Sequence, residues 1–193
     1  MNHLIIYAHP DPKSFNHAIL DALVDALNAQ GHQVRVRDLY AIQFNPFLTD
    51  EDEAACIKNQ PPDDIRAEHQ HVAWADMIIF IGPLWWGGLP AAAKGYMDRV
   101  FSNGFAYTGD ESGVKGLLSG KKLFTIMTGD APASVYEDTG LFEGINKIFD
   151  AIFADFCGLK VAGHKYFMGI STSSDQDRKA MLDEVKKIAA QLG

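Results

Sequence analysis

The chain has 193 residues, 47% of them hydrophobic, which is enough for one sizeable core, and no break in composition divides it, so a single domain over residues 1–193 is expected. Its formal charge of −8 argues against a nucleic-acid partner or an anionic membrane surface, since either needs a clustered basic face. No apolar run approaches the ~20 residues of a membrane span, and the first strand starts too close to Met1 to follow a leader, so a cytoplasmic protein is expected.

Residues 3–8 (HLIIYA) form a nearly continuous apolar run, the pattern of a strand covered on both faces. A Pro-Asp-Pro loop follows. From Ser14 the period changes, with Phe15, Ile19, Ala22, Leu23, Ala26 and Leu27 on one face of a helix that Gly31 closes. Residues 33–37 (QVRVR) alternate as a more exposed strand, and residues 38–60 read as irregular. Cys56 falls there, and with the distant Cys157 it has no metal or redox spacing, so both read as free thiols. A helix is expected over 63–75, capped by Asp63 or Asp64, then a buried strand over 77–81 (MIIFI) and a helix that Pro90 opens and that runs to Val100. Beyond these come a strand over 121–127, a helix over 141–157 stopped by Gly158, a strand over 160–168 and a terminal helix over 174–192.

Strands alternating with helices imply right-handed crossovers and a parallel sheet. Ligands of such sheets bind beyond the carboxyl ends of the strands. Three loops are thereby singled out, at residues 8–16, 82–89 and 128–136. In the first, Ser14, Phe15 and Asn16 open a helix whose unpaired N–H groups favour a phosphate, and His9 could add a donor; Ser14 also reads as a plain N-cap. In the second, Pro83, Leu84, Trp85, Trp86 and Gly87 suit a flat aromatic cofactor, although one tryptophan could instead fill the core or a subunit contact. Thr128, Gly129 and Asp130 in the third could turn amides toward the polar rim of a ring system, with Tyr136 within reach, but this is also an ordinary turn.

Taken together, the segments A-H-x(4)-S-F-N at 8–16, D-L-Y-A-x-x-F-N-P at 38–46, W-A-D-M-I-I-F-I-G-P-L-W-W-G at 74–87 and P-A-A-A-K-G-Y-M-D-R-V-F at 90–101 are similar to those of the NAD(P)H:quinone oxidoreductases of the DT-diaphorase type. G-F-A-Y-T at 104–108, T-G at 128–129 and F-C-G at 156–158 extend the likeness over nearly the whole chain. The resemblance implies an α/β flavodoxin-like three-layer sandwich, with a five-stranded parallel sheet in the order 2-1-3-4-5. It further implies a homodimer that takes two electrons from NAD(P)H through a flavin and passes them to a quinone in a ping-pong cycle. On this likeness His9, Ser14, Phe15 and Asn16 would hold the phosphate region, and Pro83, Leu84, Trp85, Trp86 and Gly87 the isoalloxazine. Thr128, Gly129 and Asp130 would meet its pyrimidine edge, Tyr136 would act in catalysis, and Trp86 with Tyr107 of the neighbouring subunit would form the acceptor pocket.

Two departures qualify this expectation. Family enzymes place a His six residues after the catalytic Tyr, whereas Phe142 stands there, so Tyr136 and amides near Gly129 must manage the reduced flavin with solvent as proton source. The stretch between Pro46 and Pro61 is short and lacks a segment to meet an adenylate, which favours FMN over FAD. The likeness also extends to flavoprotein regulators of potassium efflux, an alternative role for the same site. A second alternative starts from A-H-P-D at 8–11, which resembles zinc-dependent deacetylases; Pro12 stands where that motif has an Asp, and His69 and His71, two apart on a helix, would point apart.

Overall fold

The structure is a computed structural model that describes residues 1–111 and 113–193. Its centre is a parallel sheet of β1 (Asn2–Tyr7), β2 (Gln33–Asp38), β3 (Met77–Pro83), β6 (Lys122–Thr128) and β7 (Lys160–Phe167), in the order β2-β1-β3-β6-β7. Numbering only these five strands, the order is the 2-1-3-4-5 expected.

Side chains of successive strand residues leave opposite faces, so each central strand feeds two cores. From β1 and β3, Ile5, Tyr7, Ile79 and Ile81 pack under α1 (Phe15–Ala29) and α8 (Asp175–Gln191), against Ile19, Leu23, Val185 and Ile188. Leu4, Ile6, Ile78 and Phe80 face the other way, toward Val72 of α3 (Asp63–Trp74), Tyr96 of α4 (Ala91–Val100) and Phe149 and Phe153 after α6 (Leu141–Lys147). Burial on both faces explains why β1 and β3 carry no polar alternation.

Several elements differ from the sequence expectation. Residues 38–60 contain a helix, α2 (Asp50–Ile57), opened by a capping box between Thr49 and Asp52. Only Asp52 and Cys56 of that helix are buried, so it has no apolar stripe to announce it. Asp52 instead pairs with the buried Arg99 at 3.0 Å, and Arg99 also reaches Asp64 at 2.7 Å and the Asn45 carbonyl at 3.0 Å, so one guanidinium fastens α2, α3 and α4. Gly95 of α4 allows Pro46 to lie against the helix backbone, where a β-carbon would overlap it. A small antiparallel hairpin, β4 (Tyr107–Asp110) with β5 (Gly113–Gly116), was not foreseen.

The helix expected over 141–157 is continuous but not uniform. After α6 it widens into a π-helical segment (Ile148–Ala154) and ends in α7 (Asp155–Cys157) at Gly158, whose φ of 77° stops it. The π segment seats Phe153 edge-on against Phe101 at 4.8 Å, and Asp150 pairs with His164 at 2.9 Å. His164 in turn lies 2.7 Å from Thr125 Oγ1, joining the segment to β7 and β6. A short helix α5 (Ala133–Asp138) follows β6, and a 3-10 turn (Ile170–Thr172) follows β7.

Cys56 and Cys157 are both buried free thiols, with burial pushing the Cys157 thiol up to about 12, which keeps it unreactive. His69 stacks on Phe105 at 3.7 Å and its Nε2 lies 2.9 Å from the Val100 carbonyl, so the ring is engaged in packing α3 against the end of α4. No helix of the described residues is long and apolar enough to cross a membrane.

Candidate active site

Beyond the carboxyl ends of β1, β3 and β6 lies a cleft of about 440 Å³. Its walls bring together His9, Ser14, Phe15, Asn16, Pro83, Leu84, Trp85, Trp86, Thr128, Gly129, Asp130 and Tyr136, all twelve of them expected from sequence. The three singled-out loops therefore converge, because each leaves the sheet at the same edge.

Ser14 is the N-cap of α1 and accepts from the His17 N–H at 3.3 Å, while Tyr7 Oη lies 3.3 Å from its Oγ. The plain capping role and a place in the cleft thus coexist. Helix geometry leaves the N–H groups of Phe15 and Asn16 without intrahelical acceptors, at the positive end of a 15-residue helix. Asn16 Nδ2 donates to Thr128 Oγ1 at 2.8 Å, but its buried Oδ1 has no partner among the described residues. A buried acceptor without a donor is costly, and in a native fold it points to an absent group. His9 Nδ1 accepts from the Asp11 N–H at 3.0 Å, which in the neutral ring puts the proton on Nε2 and makes that nitrogen a donor.

The second loop is a rigid two-residue turn. Trp85 and Gly88 exchange both backbone hydrogen bonds, at 2.9 and 3.1 Å, around Trp86 and Gly87 with φ of 53° and 77°. These are the left-handed values of a hairpin turn that favours Asn-Gly, so Trp86 sits in a conformation unfavourable for its residue type. Neither tryptophan fills the core: Trp85 is 46% exposed and Trp86 is wholly exposed. Gly87 does not line the cleft but a neighbouring apolar cavity on the other side of the turn.

On the third side, the Gly129 N–H is engaged by the Phe167 carbonyl at 2.9 Å, so it is not available to a ligand. Asp130 Oδ1 accepts from the Ser171 N–H at 3.0 Å and ties this loop to the 3-10 turn. The amides that remain for a ligand edge are those of Asp130 and Ala131. Ala131 and Ile170 line the cleft and were missed from sequence, Ile170 because it follows the last strand, whose loop no motif marked. Tyr136 stacks on Phe142 at 5.0 Å, and Phe142 packs on Tyr166 at 4.4 Å. The Tyr166 hydroxyl donates to Asn146 Oδ1 at 2.8 Å, and burial raises its pKa to about 12. Phe142 therefore serves as the middle layer of an aromatic stack that fixes Tyr136.

Tyr107 stands apart from the cleft within one chain. It packs edge-on against Phe156 at 4.6 Å and borders a separate cavity beside Cys56 and Leu48. A role in an acceptor pocket would have to be played across a subunit boundary.

Residues 1–192 match a family described by its flavodoxin-like fold. The chain is also 35% identical over 204 residues to NAD(P)H dehydrogenase (quinone) 1 of Cavia porcellus, covering 95% of this chain and 74% of that one. It belongs to the flavodoxin-like NAD(P)H:quinone oxidoreductase family. Within that family it is 34% identical over 200 residues to the human ribosyldihydronicotinamide dehydrogenase (quinone), covering 93% of this chain and 86% of the relative. Among solved structures of the family, the NAD(P)H:quinone oxidoreductase from Methanothermobacter marburgensis superposes with a TM-score of 0.90 at 29% identity, over 100% of this chain and 99% of that one.

Proposed function

We propose that this chain is a flavin-dependent NAD(P)H:quinone oxidoreductase that binds FMN and works as a homodimer. The observation that carries this reading is the buried Asn16 Oδ1 left without a donor, in the cleft where the first turn of α1 and the Trp85-Trp86 turn converge. When bound there, the flavin supplies two-electron transfer from NAD(P)H to a quinone in a ping-pong cycle.

The chain's own residues divide the remaining work. Ser14 Oγ, the Phe15 and Asn16 amides and His9 Nε2 hold the phosphate, an anion suited to a helix N-terminus. Pro83, Leu84, Trp85 and Trp86 give the ring an apolar bed and keep water from one face. Gly129 borders its polar edge, where the Thr128 hydroxyl and the amides of Asp130 and Ala131 offer fixed donors to developing negative charge. Tyr136 brings a phenolic hydroxyl to the same edge, while Phe142 can neither give nor take a proton, which leaves proton delivery to solvent. FMN is preferred to FAD because the stretch between Pro46 and Pro61 is short and contributes no residue to the cleft that would meet an adenylate.

A second copy of the chain would bring its Tyr107 to the acceptor side. The exposed apolar side chains of Phe156, which packs on Tyr107, and of Ile152, four residues before it, support such an interface. The test is to purify the chain, release and identify its flavin by chromatography, and follow reduction by NADH and NADPH in stopped flow. A colourless protein that gains no absorbance near 450 nm after incubation with FMN or FAD overturns the proposal.

A further inference from the structure

On the far side of the Trp85-Trp86 turn from the cofactor cleft is a second cavity, of about 340 Å³. We infer that this cavity receives the aliphatic side chain of a prenylated quinone, so that the preferred acceptors carry a hydrocarbon tail. The inference rests on the function proposed above and narrows its substrate class.

Four observations lead to it. Trp85 and Trp86 line both cavities, so a ring stacked in the cleft and a substituent in the second cavity are separated only by one two-residue hairpin. Neither indole at that boundary is buried in the core, Trp85 being 46% exposed and Trp86 wholly exposed. The lining of the second cavity is hydrocarbon and aromatic: Leu89 and Met97 on one side, and Phe149 and Phe153 from the π-helical segment on the other. Its one charged side chain, Lys94, is directed to Asp98 at 2.5 Å on its own helix, so no polar group is left to select a hydrophilic guest.

The π segment has a direct part in this. Its wider turn carries Ile148, Phe149 and Phe153 along one wall, and such local widening recurs at functional sites. The Trp86 conformation has the same sense, since a strained turn at a cleft rim is kept only where the surrounding structure or the ligand requires it. The volume is of the size that small molecules fill, and the cavity shares two of its lining side chains, Trp85 and Trp86, with the cleft.

The experiment compares two acceptors with the same ring, 2-methyl-1,4-naphthoquinone and its 3-prenyl derivative, on the flavin-loaded full-length chain. Burial of one prenyl unit should raise kcat/KM for the prenylated quinone about tenfold over the parent. In Met97→Gln and in Leu89→Gln, each at the cavity wall and only half-buried, that ratio should fall toward one. Geraniol, which cannot be reduced, should give a calorimetric binding signal with the unaltered protein and lose it in Met97→Gln. A ratio near one in the unaltered protein overturns the inference, as does a ratio that both variants retain. Absence of geraniol binding overturns it too. Failure to turn over either quinone, with geraniol still binding, instead overturns the function proposed above and with it the tail's role as part of an acceptor.

Discussion

Asn16 Nδ2 donates to Thr128 Oγ1 across 2.8 Å, which locks the opening turn of the first helix to the end of β6, 112 positions along the chain. The same amide leaves its Oδ1 buried without a donor. Asn16→Leu removes a made bond and an unmet acceptor together, and the two effects oppose each other. Stability of the flavin-free chain should therefore change by no more than about 1 kcal/mol. Flavin affinity should nevertheless fall about tenfold, the equivalent of one hydrogen bond. Urea titration of the apoprotein and fluorescence titration with FMN measure the two separately; equal losses in both would make Asn16 purely structural.

The Trp86 backbone, at φ 53°, separates stability from function in the second loop. Trp86→Gly relieves the unfavourable conformation and removes a wholly exposed side chain that contributes nothing to the core. The apoprotein should gain about 0.5–1 kcal/mol, while flavin retention and acceptor turnover both drop. Trp86→Ala should lose the same function without that gain, because alanine keeps the strain. Thermal unfolding of both variants beside steady-state quinone reduction gives the comparison, and full activity in Trp86→Gly would remove the indole from the site.

Tyr136 is held by its stack on Phe142, so its hydroxyl can be deleted without moving the ring. Tyr136→Phe should slow flavin reduction by NAD(P)H about tenfold or more, in line with the loss of one positioned donor, and change flavin affinity by less than about threefold. Stopped-flow reduction and equilibrium titration read these independently. An unaltered reduction rate would show that the amides of Asp130 and Ala131 suffice.

Much of this arrangement can be read in the residues, and the exceptions share physical causes. The runs at β1 and β3 declare doubly covered strands because residues 4–7 and 77–81 are apolar without a break, and loops that follow such strands must meet at one edge of a parallel sheet. Helix α2 escapes because its buried residues are Asp52 and Cys56, held by Arg99 rather than by an apolar stripe. The β4–β5 hairpin escapes because Gly109, Gly113 and Gly116 supply no side chains to alternate. The π widening leaves Phe149 and Phe153 four apart, a spacing that an α-helix also gives. Trp86 conceals its turn, since Trp-Gly is not a sequence that signals left-handed backbone. For Tyr107 the sequence carried only a resemblance, and one chain alone leaves that side chain outside the cleft.

At the opposite end of the sheet, His3 gives the fold a dependence on pH that is independent of any ligand. The ring is wholly buried on β1, with Nε2 2.9 Å from His32 Nδ1 and with Nδ1 unpartnered among the described residues. Burial lowers its pKa from 6.5 to about 4; His32, the chain-terminal ammonium and Lys122 act in the same direction, and Asp76 opposes them. A folded-state pKa below the unfolded value means that the unfolded chain binds more protons between pH 6.5 and 4. The stability associated with neutral His3 is thus fully present above pH 6.5 and lost as the pH falls through that window, by at most about 3 kcal/mol. His3→Leu keeps an apolar occupant in the strand and removes the titration, so its stability should be flatter across the same range. Urea unfolding at half-unit steps from pH 4 to 7 compares the two proteins, and identical slopes would place the acid sensitivity elsewhere.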